Sequence, residues 1–389
     1  MLIKDICTSI TDGSHNPPQG IASSSYLMLS SKNVFDDKIT LDEPRFLSEE
    51  DFAKENKRTN VKCGDILLTI VGTVGRAAVV SSDLPPFTLQ RSVAVLHPKE
   101  EVCSSRYLMY ALRGKRSYIE SHSKGVAQKG IYLKEVAGID LPVHPKAMQE
   151  KITNRLDKLA FIIKCRQQEL QKLDDLVRAR FIEMFGDPEI NSMNLPVKPM
   201  TEVCEIIDGD RGKNYPTQEE FSDEGYCLFL NAKNVTPSGF SFENCMFVTK
   251  EKDEILRKGH LNRGDVVLTT RGTIGNLAFY DESIPYENVR INSGMVILRM
   301  NHEIVSEQFF IEQFKMQLGS IKEKIASGSA QPQLPISTMN KIAVLMPSVE
   351  QQQVFTDFVK QIAKSKAAVQ KALDQTQLLF DSLMQEYFG

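Results

Sequence analysis

The chain has 389 residues, which is enough for two domains with separate cores. Its 47 basic and 50 acidic side chains give a formal net charge of −3, which argues against coating nucleic acid through bulk charge but permits local basic patches. Seven cysteines occur without a CxxC pair, so neither a zinc site nor a disulfide framework is indicated. Because no basic leader and no run of 18 apolar residues is present, the sequence predicts a soluble cytoplasmic protein with no membrane partner.

Residues 1–147 predict a first mixed domain of the α+β class. Short β-rich runs at 66–71 and 92–96 follow turn-forming residues, and 105–117 has a helical pattern. The order of the strands in the sheet stays open at this stage, since local patterns do not define pairing.

The end of this first domain carries a local basic patch. Residues 113–134 contain six basic side chains and a single acid, Glu120. Within this patch Lys124, Gln128 and Lys129 are candidate DNA contacts, because lysine binds phosphate or guanine and a glutamine amide pairs with adenine. A solvated basic face is an equally good interpretation of the charge.

Residues 148–186 predict one long helix, since neither glycine nor proline occurs before Gly186. Apolar side chains recur at alternating steps of four and three, with Arg166 as the only interruption: Ile152, Leu156, Leu159, Ile163, Leu170, Leu173 and Val177. This is the heptad pattern of a coiled coil. Residues 148–185 would form a helix about 57 Å long at 1.5 Å per residue.

A linker at 187–197, which contains two prolines, predicts a boundary before a second domain at 198–346. The second domain repeats motifs of the first. GDILLTIVGTVG begins at Gly64 and GDVVLTTRGTIG begins at Gly264, while LSSKNV and LNAKNV occupy equivalent places nearer the start of each domain. The chain is therefore predicted to be a tandem duplication.

Residues 347–389 repeat the long helix at an offset of 203 positions. Arg166 aligns with Val369 and Ile163 aligns with Lys366, so each copy has one polar interruption in its apolar stripe. One such helix would most simply pack on its own domain. Two copies favour a pair in which each helix buries its stripe against the other.

The second domain presents different side chains in the same frame. Val71 aligns with Arg271, and His15 aligns with Arg211. Arginine prefers guanine or phosphate and glutamine prefers adenine, so similar docking with different readout is expected. The candidate DNA contacts of this domain are Arg211, Lys213, Arg271, Gln331 and Gln333.

Three patterns resemble catalytic motifs but are incomplete. Asn-Pro-Pro-Gln at 16–19 lacks the aromatic residue that completes the motif of amino-group DNA methyltransferases. The Gly-Thr-x-Gly turns at 72–75 and 272–275 lack the lysine of a nucleotide-binding loop and are more typical of tight turns. Glu55 and Lys57, downstream of Asp42, form a charged trio of a kind that is frequent by chance. We therefore predict no catalytic residue, metal ligand or cofactor on this chain.

Four features occur in one order along the chain. They are the duplicated domain, the Gly-Asp strands that lead into Gly-Thr-x-Gly, Gln128 and Gln331 upstream of Leu-Pro or Met-Pro exits, and the paired helices. Together they resemble the specificity subunit of type I restriction-modification systems over essentially the full length. The resemblance implies two tandem mixed α/β target recognition domains, separated by two long helices that pair as an antiparallel coiled coil with pseudo-two-fold symmetry. Each domain is expected to read one half of a bipartite DNA sequence, with the helices setting the spacer.

The partners are implied by the resemblance alone. They are double-stranded DNA, two methyltransferase (modification) subunits and motor-nuclease (restriction) subunits. S-adenosylmethionine, ATP and Mg²⁺ are expected on these partner subunits, and this chain is expected to be non-catalytic. The outer face of the first helix is expected to dock the methyltransferases, with a solvated face as the default interpretation: Lys151, Arg155, Lys158 and Glu169.

Two other functions stay open from the sequence. A self-contained DNA methyltransferase or nuclease would depend on the incomplete motifs at 16–19 and 55–57. A structural coiled-coil scaffold would need only the two helices. Product formation by the chain alone separates the first from a specificity subunit, and sequence-selective DNA binding separates the second.

Overall fold

The structure, a computed structural model, describes residues 1–125, 129–326 and 333–389. The chain forms two compact units. Unit 1 comprises Met1–Gln168 and Gln370–Gly389, and unit 2 comprises Glu169–Val369. Each unit therefore contains one mixed segment and a part of each long helix.

The strands of unit 1 form a four-stranded antiparallel sheet of order β1-β9-β6-β7, a three-stranded sheet of order β5-β2-β8 and the hairpin β3-β4. In the three-stranded sheet β2 and β8 are parallel. The strands are β1 (Cys7–Asp12), β2 (Leu27–Leu29), β3 (Val34–Phe35), β4 (Lys38–Ile39), β5 (Arg45–Phe46), β6 (Ile66–Thr69), β7 (Ala77–Val79), β8 (Phe87–Leu89) and β9 (Val93–Pro98).

The helices that begin in unit 1 are α1 (Ile3–Ile6), α2 (Glu49–Thr59), α3 (Ser105–Gly114), α4 (Arg116–Ser121), α5 (Leu133–Ala137) and α6 (Lys146–Phe185). The helix predicted at 105–117 is divided at Lys115, whose backbone leaves the helical region. Gly114 lies directly against Phe388, and a β-carbon at Gly114 would overlap the Phe388 β-carbon. This close approach is a tertiary contact that the local sequence pattern does not contain.

Unit 2 repeats this architecture, with the addition of the pair β10-β20. Its strands are β10 (Val197–Pro199), β11 (Cys204–Asp208), β12 (Cys227–Leu230), β13 (Val235–Thr236), β14 (Gly239–Phe240), β15 (Phe247–Val248), β16 (Val266–Thr269), β17 (Leu277–Phe279), β18 (Val289–Ile291), β19 (Met295–Met300) and β20 (Ala343–Leu345). Its helices are α7 (Met200–Val203), α8 (Lys250–Ile255), α9 (Glu307–Ala326), α10 (Ile336–Met339) and α11 (Val349–Phe388), with 3-10 turns at Gln218–Glu220 and Ala232–Asn234.

The two units share one topology. The sheet β11-β19-β16-β17 corresponds to β1-β9-β6-β7, and β15-β12-β18, again with one parallel pair, corresponds to β5-β2-β8. The predicted α+β class and internal duplication are confirmed.

The strands that follow the Gly-Asp turns are buried on both faces. In β6, Ile66 and Leu68 join the core shared with the helices, while Leu67 joins the core beneath the three-stranded sheet. Val266 and Val267 divide in the same way in unit 2. Burial on both faces explains why these strands have continuous apolar runs instead of an alternating pattern.

In unit 1 the beginning of α6 packs antiparallel to the end of α11. Arg155 contacts Tyr387 and Arg166 contacts Thr376, so residue numbers rise along one helix as they fall along the other. The predicted interruption at Arg166 is satisfied, because its guanidinium donates to the Ala372 carbonyl and the Thr376 hydroxyl. A paired polar group in an apolar stripe fixes the register of two helices.

In unit 2 the end of α6 packs against the beginning of α11. Phe181 is fully buried, with ring centroids 5.1, 5.3 and 5.4 Å from Phe185, Phe309 and Phe355. The second interruption, Lys366, forms an ion pair with Asp174 of α6. None of the helices that the structure describes combines the length and apolar character needed to cross a membrane.

Candidate nucleic-acid interface

Several loops of unit 1 meet where strand β6 ends. The Ile70 amide donates to the Ser92 carbonyl at 2.9 Å, and the Ser31 amide donates to the Ser92 hydroxyl at 3.0 Å. The Ile131 amide donates to the Ile70 carbonyl at 2.9 Å. We call the surface formed by these loops the unit 1 edge: residues 12–15, 30–32, 70–76, 90–92, 124–125 and 129–132.

Two predicted DNA contacts lie on the unit 1 edge. Lys124 and Gly130 exchange backbone hydrogen bonds of 2.8 and 2.9 Å, and the Gly72 amide donates to the Lys129 carbonyl at 3.0 Å. The Lys129 side chain is exposed and has no ion-pair partner among the described residues. The third predicted contact, Gln128, lies outside the described residues.

Lys124 is partly neutralised by Glu135. The Glu135 carboxylate accepts one hydrogen bond from the Tyr132 amide and one from the Lys124 ammonium, both at 3.1 Å, and these bonds lower the pKa of Glu135. Tyr132 itself is 68% exposed at the start of α5. Lys129 is therefore the freer of the two lysines for an incoming anion.

A cavity of about 360 Å³ opens on the same edge, lined by residues that include Asp12, His15, Arg91, Lys124 and Tyr132. Asp12 is buried at the end of β1, with His15 Nε2 2.7 Å from Asp12 Oδ2. The Arg58 guanidinium contacts the Asp12 carboxylate, and its Nε donates to the Asp12 carbonyl at 3.1 Å. An imidazole and a guanidinium group therefore both contact the Asp12 carboxylate.

A neighbouring cavity of about 350 Å³ is lined in part by Lys32, Gln90 and Arg91. Lys32 is presented by a turn that buried Asn33 holds, since Asn33 Oδ1 accepts from the Ser30 amide at 3.0 Å. Sequence reasoning did not select Lys32 or Arg91. The repeated Lys-Asn-Val motif was the available signal for Lys32, whereas Arg91 joins this surface only through folding.

Unit 2 has the corresponding frame. Arg271 pairs with Gln333 in an isolated antiparallel bridge, as Val71 pairs with Gly130 in unit 1. This bridge places the two predicted contacts, Arg271 and Gln333, side by side, and both residues are exposed. The third candidate of this segment, Gln331, lies outside the described residues.

A second loop of unit 2 carries Arg211 and Lys213. Arg211 forms an ion pair with Asp208 at 2.9 Å, in the same spacing of three residues as the contact between His15 and Asp12. Lys213 is exposed and unpaired in the part of the chain that the structure describes. The duplicated frame therefore holds an imidazole in unit 1 and a permanent cation in unit 2.

Buried Asp210 fixes the conformation of this loop. Its carboxylate accepts hydrogen bonds from the Gly212 amide at 2.9 Å and the Arg257 amide at 2.8 Å, and these bonds lower the pKa of Asp210. Arg211 and Lys213 are thus presented by an ordered turn.

The four predicted docking residues are all exposed on α6. Arg155 donates to the Tyr387 hydroxyl at 3.0 Å within unit 1. Lys151, Lys158 and Glu169 make no hydrogen bond or ion pair with described residues. Their charges are fully available to a solvent or protein partner.

The incomplete catalytic motifs lie in a hydrogen-bonded loop and on a helix of unit 1. The loop at 16–19 is held by Arg45, which donates a hydrogen bond to the Pro18 carbonyl at 2.7 Å. Glu55 and Lys57 lie on helix α2. Over residues 1–125, 129–326 and 333–389, no group of three His, Cys, Asp or Glu side chains could hold a metal ion.

Four thiols are buried in hydrophobic clusters of the two units, and this burial raises the pKa of three of them to about 12 and that of Cys227 still further. Thiols with such pKa values stay protonated at neutral pH and are poor nucleophiles. The three are Cys7, Cys103 and Cys204.

Residues 29–174 and 194–376 match the family model described as the type I restriction modification DNA specificity domain. The chain is 24% identical over 353 residues to the type I restriction enzyme MjaVIII specificity subunit of Methanocaldococcus jannaschii, covering 82% of this chain and 78% of that relative. It is 29% identical over 129 residues to the Escherichia coli EcoBI specificity subunit, covering 33% of this chain and 27% of that relative.

Solved structures share the fold. An S subunit of a type I restriction-modification system from M. genitalium superposes with a TM-score of 0.56 at 17% identity, covering 100% of this chain and 95% of that one. A chain from a study of complex assembly and conformational transition of the type I system gives a TM-score of 0.56 at 15% identity, with 100% and 96% coverage. The family model covers both repeats, and the chain belongs to the family of type I restriction-modification DNA specificity subunits.

Proposed function

We propose that this specificity subunit reads a bipartite DNA target, with residues 1–147 and 198–346 as target recognition domains for one half each. The supporting observation is that the two units share a backbone frame but present different side chains on it. Val71 and Gly130 occupy the bridge that Arg271 and Gln333 occupy in unit 2. A shared frame favours similar docking, and different polar side chains favour different bases.

In unit 1 the proposed contacts are Lys124, Gln128 and Lys129. Exposed lysines in the segment between α4 and α5 suit phosphate oxygens or the guanine edge, and the amide of Gln128 suits adenine. In unit 2 the proposed contacts are three cationic side chains and two side-chain amides: Arg211, Lys213, Arg271, Gln331 and Gln333.

The long helices are the proposed spacer and docking element, with 148–186 and 347–389 as the two helical regions and 187–197 as the linker. Helices α6 and α11 contain 40 residues each, about 60 Å at 1.5 Å per residue. A continuous helix is stiff, so its length would fix the number of unread base pairs. Exposed charges on α6 would dock two methyltransferase subunits: Lys151, Arg155, Lys158 and Glu169.

Catalysis is assigned to partner subunits in this proposal. Modification subunits would supply S-adenosylmethionine chemistry, and restriction subunits would supply ATP- and Mg²⁺-dependent translocation and cleavage. A role on chromosomal DNA places the chain in the cytoplasm. With DNA and S-adenosylmethionine, the purified chain alone should form no methylated product, and sustained turnover would contradict the proposal.

The first test is selection of bound sequences from a random double-stranded DNA library by the full-length chain, with and without its methyltransferase. We expect two short motifs separated by a fixed gap. A single continuous motif, or no enrichment, would contradict a bipartite reader.

Exchanging the bridge residues tests the assignment of one domain to one half-site. Arg271→Val places the unit 1 residue in unit 2, and Val71→Arg is the reciprocal variant. Each should alter the selected bases in one half of the motif only, since a lost or gained arginine contact changes discrimination at a base by about 1–3 kcal/mol. Changes in both halves for either variant would refute the assignment.

A further inference from the structure

The Gly-Thr-Val-Gly turn of unit 1 has unused hydrogen-bond donors. Gly72 and Gly75 have positive φ values of 84° and 89°, and their amides donate to Lys129 and Thr69 carbonyls. The amides of Thr73 and Val74 between them have no acceptor among the described residues. Successive free amides in such a turn form a concave site that suits an anion.

Three cationic side chains surround this turn in a cavity of about 380 Å³, which we call the unit 1 anion pocket: Arg76, Arg116 and Lys129, with Thr73, Ser123 and the single acid Glu120. Arg116 is oriented by Asp36 at 2.7 Å and the Gly75 carbonyl at 3.2 Å, and its Nε is buried without a partner in the described chain. The Arg76 guanidinium lies over the Phe35 ring, 5.0 Å from the centroid.

Unit 2 contains the same turn, and its described residues include no counterpart of Arg76 or Arg116. Gly272 and Gly275 also have positive φ, and the Asn276 amide donates to Thr269 as the Arg76 amide donates to Thr69. Asn276 replaces Arg76, and its side-chain amide donates a hydrogen bond to the Val235 carbonyl at 2.9 Å. Leu318 packs on Gly275 where Arg116 packs on Gly75. The turn therefore folds without the cations, so maintaining it does not explain them.

We propose that the unit 1 anion pocket binds one internucleotide phosphate beside the half-site that unit 1 reads. This inference rests on the proposed DNA-reading function and assigns Arg76, Arg116 and Lys129 to positioning of the DNA backbone. A phosphate oxygen accepts hydrogen bonds from amides, guanidinium groups and ammonium at once, which matches the donors gathered here. Among the described residues of unit 2, Asn276 and Leu318 stand where Arg76 and Arg116 stand in unit 1, so neither guanidinium has a counterpart there.

The test uses the full-length chain and the DNA sequence that it selects. Arg76→Asn introduces the residue of unit 2, Lys129→Gln removes the exposed charge, and Lys4→Gln removes a charge from α1 as a control. Affinity is measured between about 50 and 200 mM salt. We expect the double variant Arg76→Asn/Lys129→Gln to bind roughly tenfold more weakly and to lower the salt slope by about 0.9. Selected bases should stay unchanged, and Lys4→Gln should match the native chain.

Neutral methylphosphonate linkages, placed one at a time along the DNA, locate the phosphate. One linkage beside the unit 1 half-site should weaken binding by the native chain but cause no further loss in the double variant, because both changes remove the same contact. Independent losses at every position, or an unchanged salt slope, would overturn the pocket assignment while leaving sequence-selective binding intact.

Titration with inorganic phosphate distinguishes a DNA phosphate from a free phosphate ligand. No saturable binding at millimolar phosphate is expected without DNA, since one phosphate lacks the rest of the DNA interface. Saturable binding that disappears in the double variant would overturn the DNA assignment. Failure of the native chain to select any sequence would instead refute the proposed function itself.

Discussion

Asn33 and Asn234 show how single residues hold loops of the proposed DNA-binding surface. Each is buried, accepts a backbone amide through its side-chain oxygen, and donates to a carbonyl farther along the chain. The repeated motif identified them from sequence as equivalent. Their structural role could not be predicted, because the acceptors, the carbonyls of Asp42 and Ser241, come within reach only when the hairpins β3-β4 and β13-β14 form.

The same limit explains which edge residues sequence reasoning found. Lys124 and Lys129 stand out because charge is concentrated along one segment. Arg91 lies outside that segment and reaches the edge only when separate loops meet. Local composition reveals a patch within a segment but not one assembled from several.

Asp210→Asn should destabilise unit 2 at neutral pH. The carboxylate accepts two amides, and an asparagine would place an NH₂ group against one of them, at a cost of about 1–3 kcal/mol. Because the folded pKa lies below the ordinary value of 3.8, the carboxylate contributes fully above that pH and loses its contribution as pH falls.

Urea denaturation at pH 7, 5 and 3 measures this effect, with Asp223→Asn, an exposed neighbour in the same unit, as the control. The gap between native and Asp210→Asn proteins should be constant from pH 7 to 5 and narrower at pH 3. A gap that widens on acidification would show that the carboxylate does not stabilise the fold through these bonds.

The long helices are the elements that sequence describes best. Apolar periodicity over 40 residues predicted both of them, and the observed starts at Lys146 and Val349 differ from the prediction by two residues. The two polar interruptions were visible from sequence but their partners were not. Arg166 and Lys366 are each satisfied by the facing helix within one unit.

Phe181→Ala should remove much of the packing between the helix segments of unit 2. The ring is 0% exposed among three other phenylalanines, so truncation should lower the free energy of unfolding by about 3–5 kcal/mol. Phe161→Ala on the same helix is the matched control, since its ring is 65% exposed and the change should cost under about 0.5 kcal/mol. Equal losses by denaturant unfolding would contradict the assigned core.

For the whole molecule, duplication permits divergence of the surface loops while the fold is kept. The central sheets keep their order in both units, while the edges differ at His15 against Arg211 and at Val71 against Arg271. Sequence alignment of the halves predicted this division between frame and surface. The order of the strands could not be predicted from the sequence alignment, because β1 pairs with the distant β9 and local patterns do not encode that contact.

Independent reading of one half-site by each recognition domain can be tested by a domain exchange. Residues 1–147 are replaced with the corresponding domain of another specificity subunit, and methylated adenines are mapped with the cognate methyltransferase. We expect one half of the motif to change, while the other half and the gap between them are retained. An unchanged motif, or simultaneous change of both halves, would contradict it.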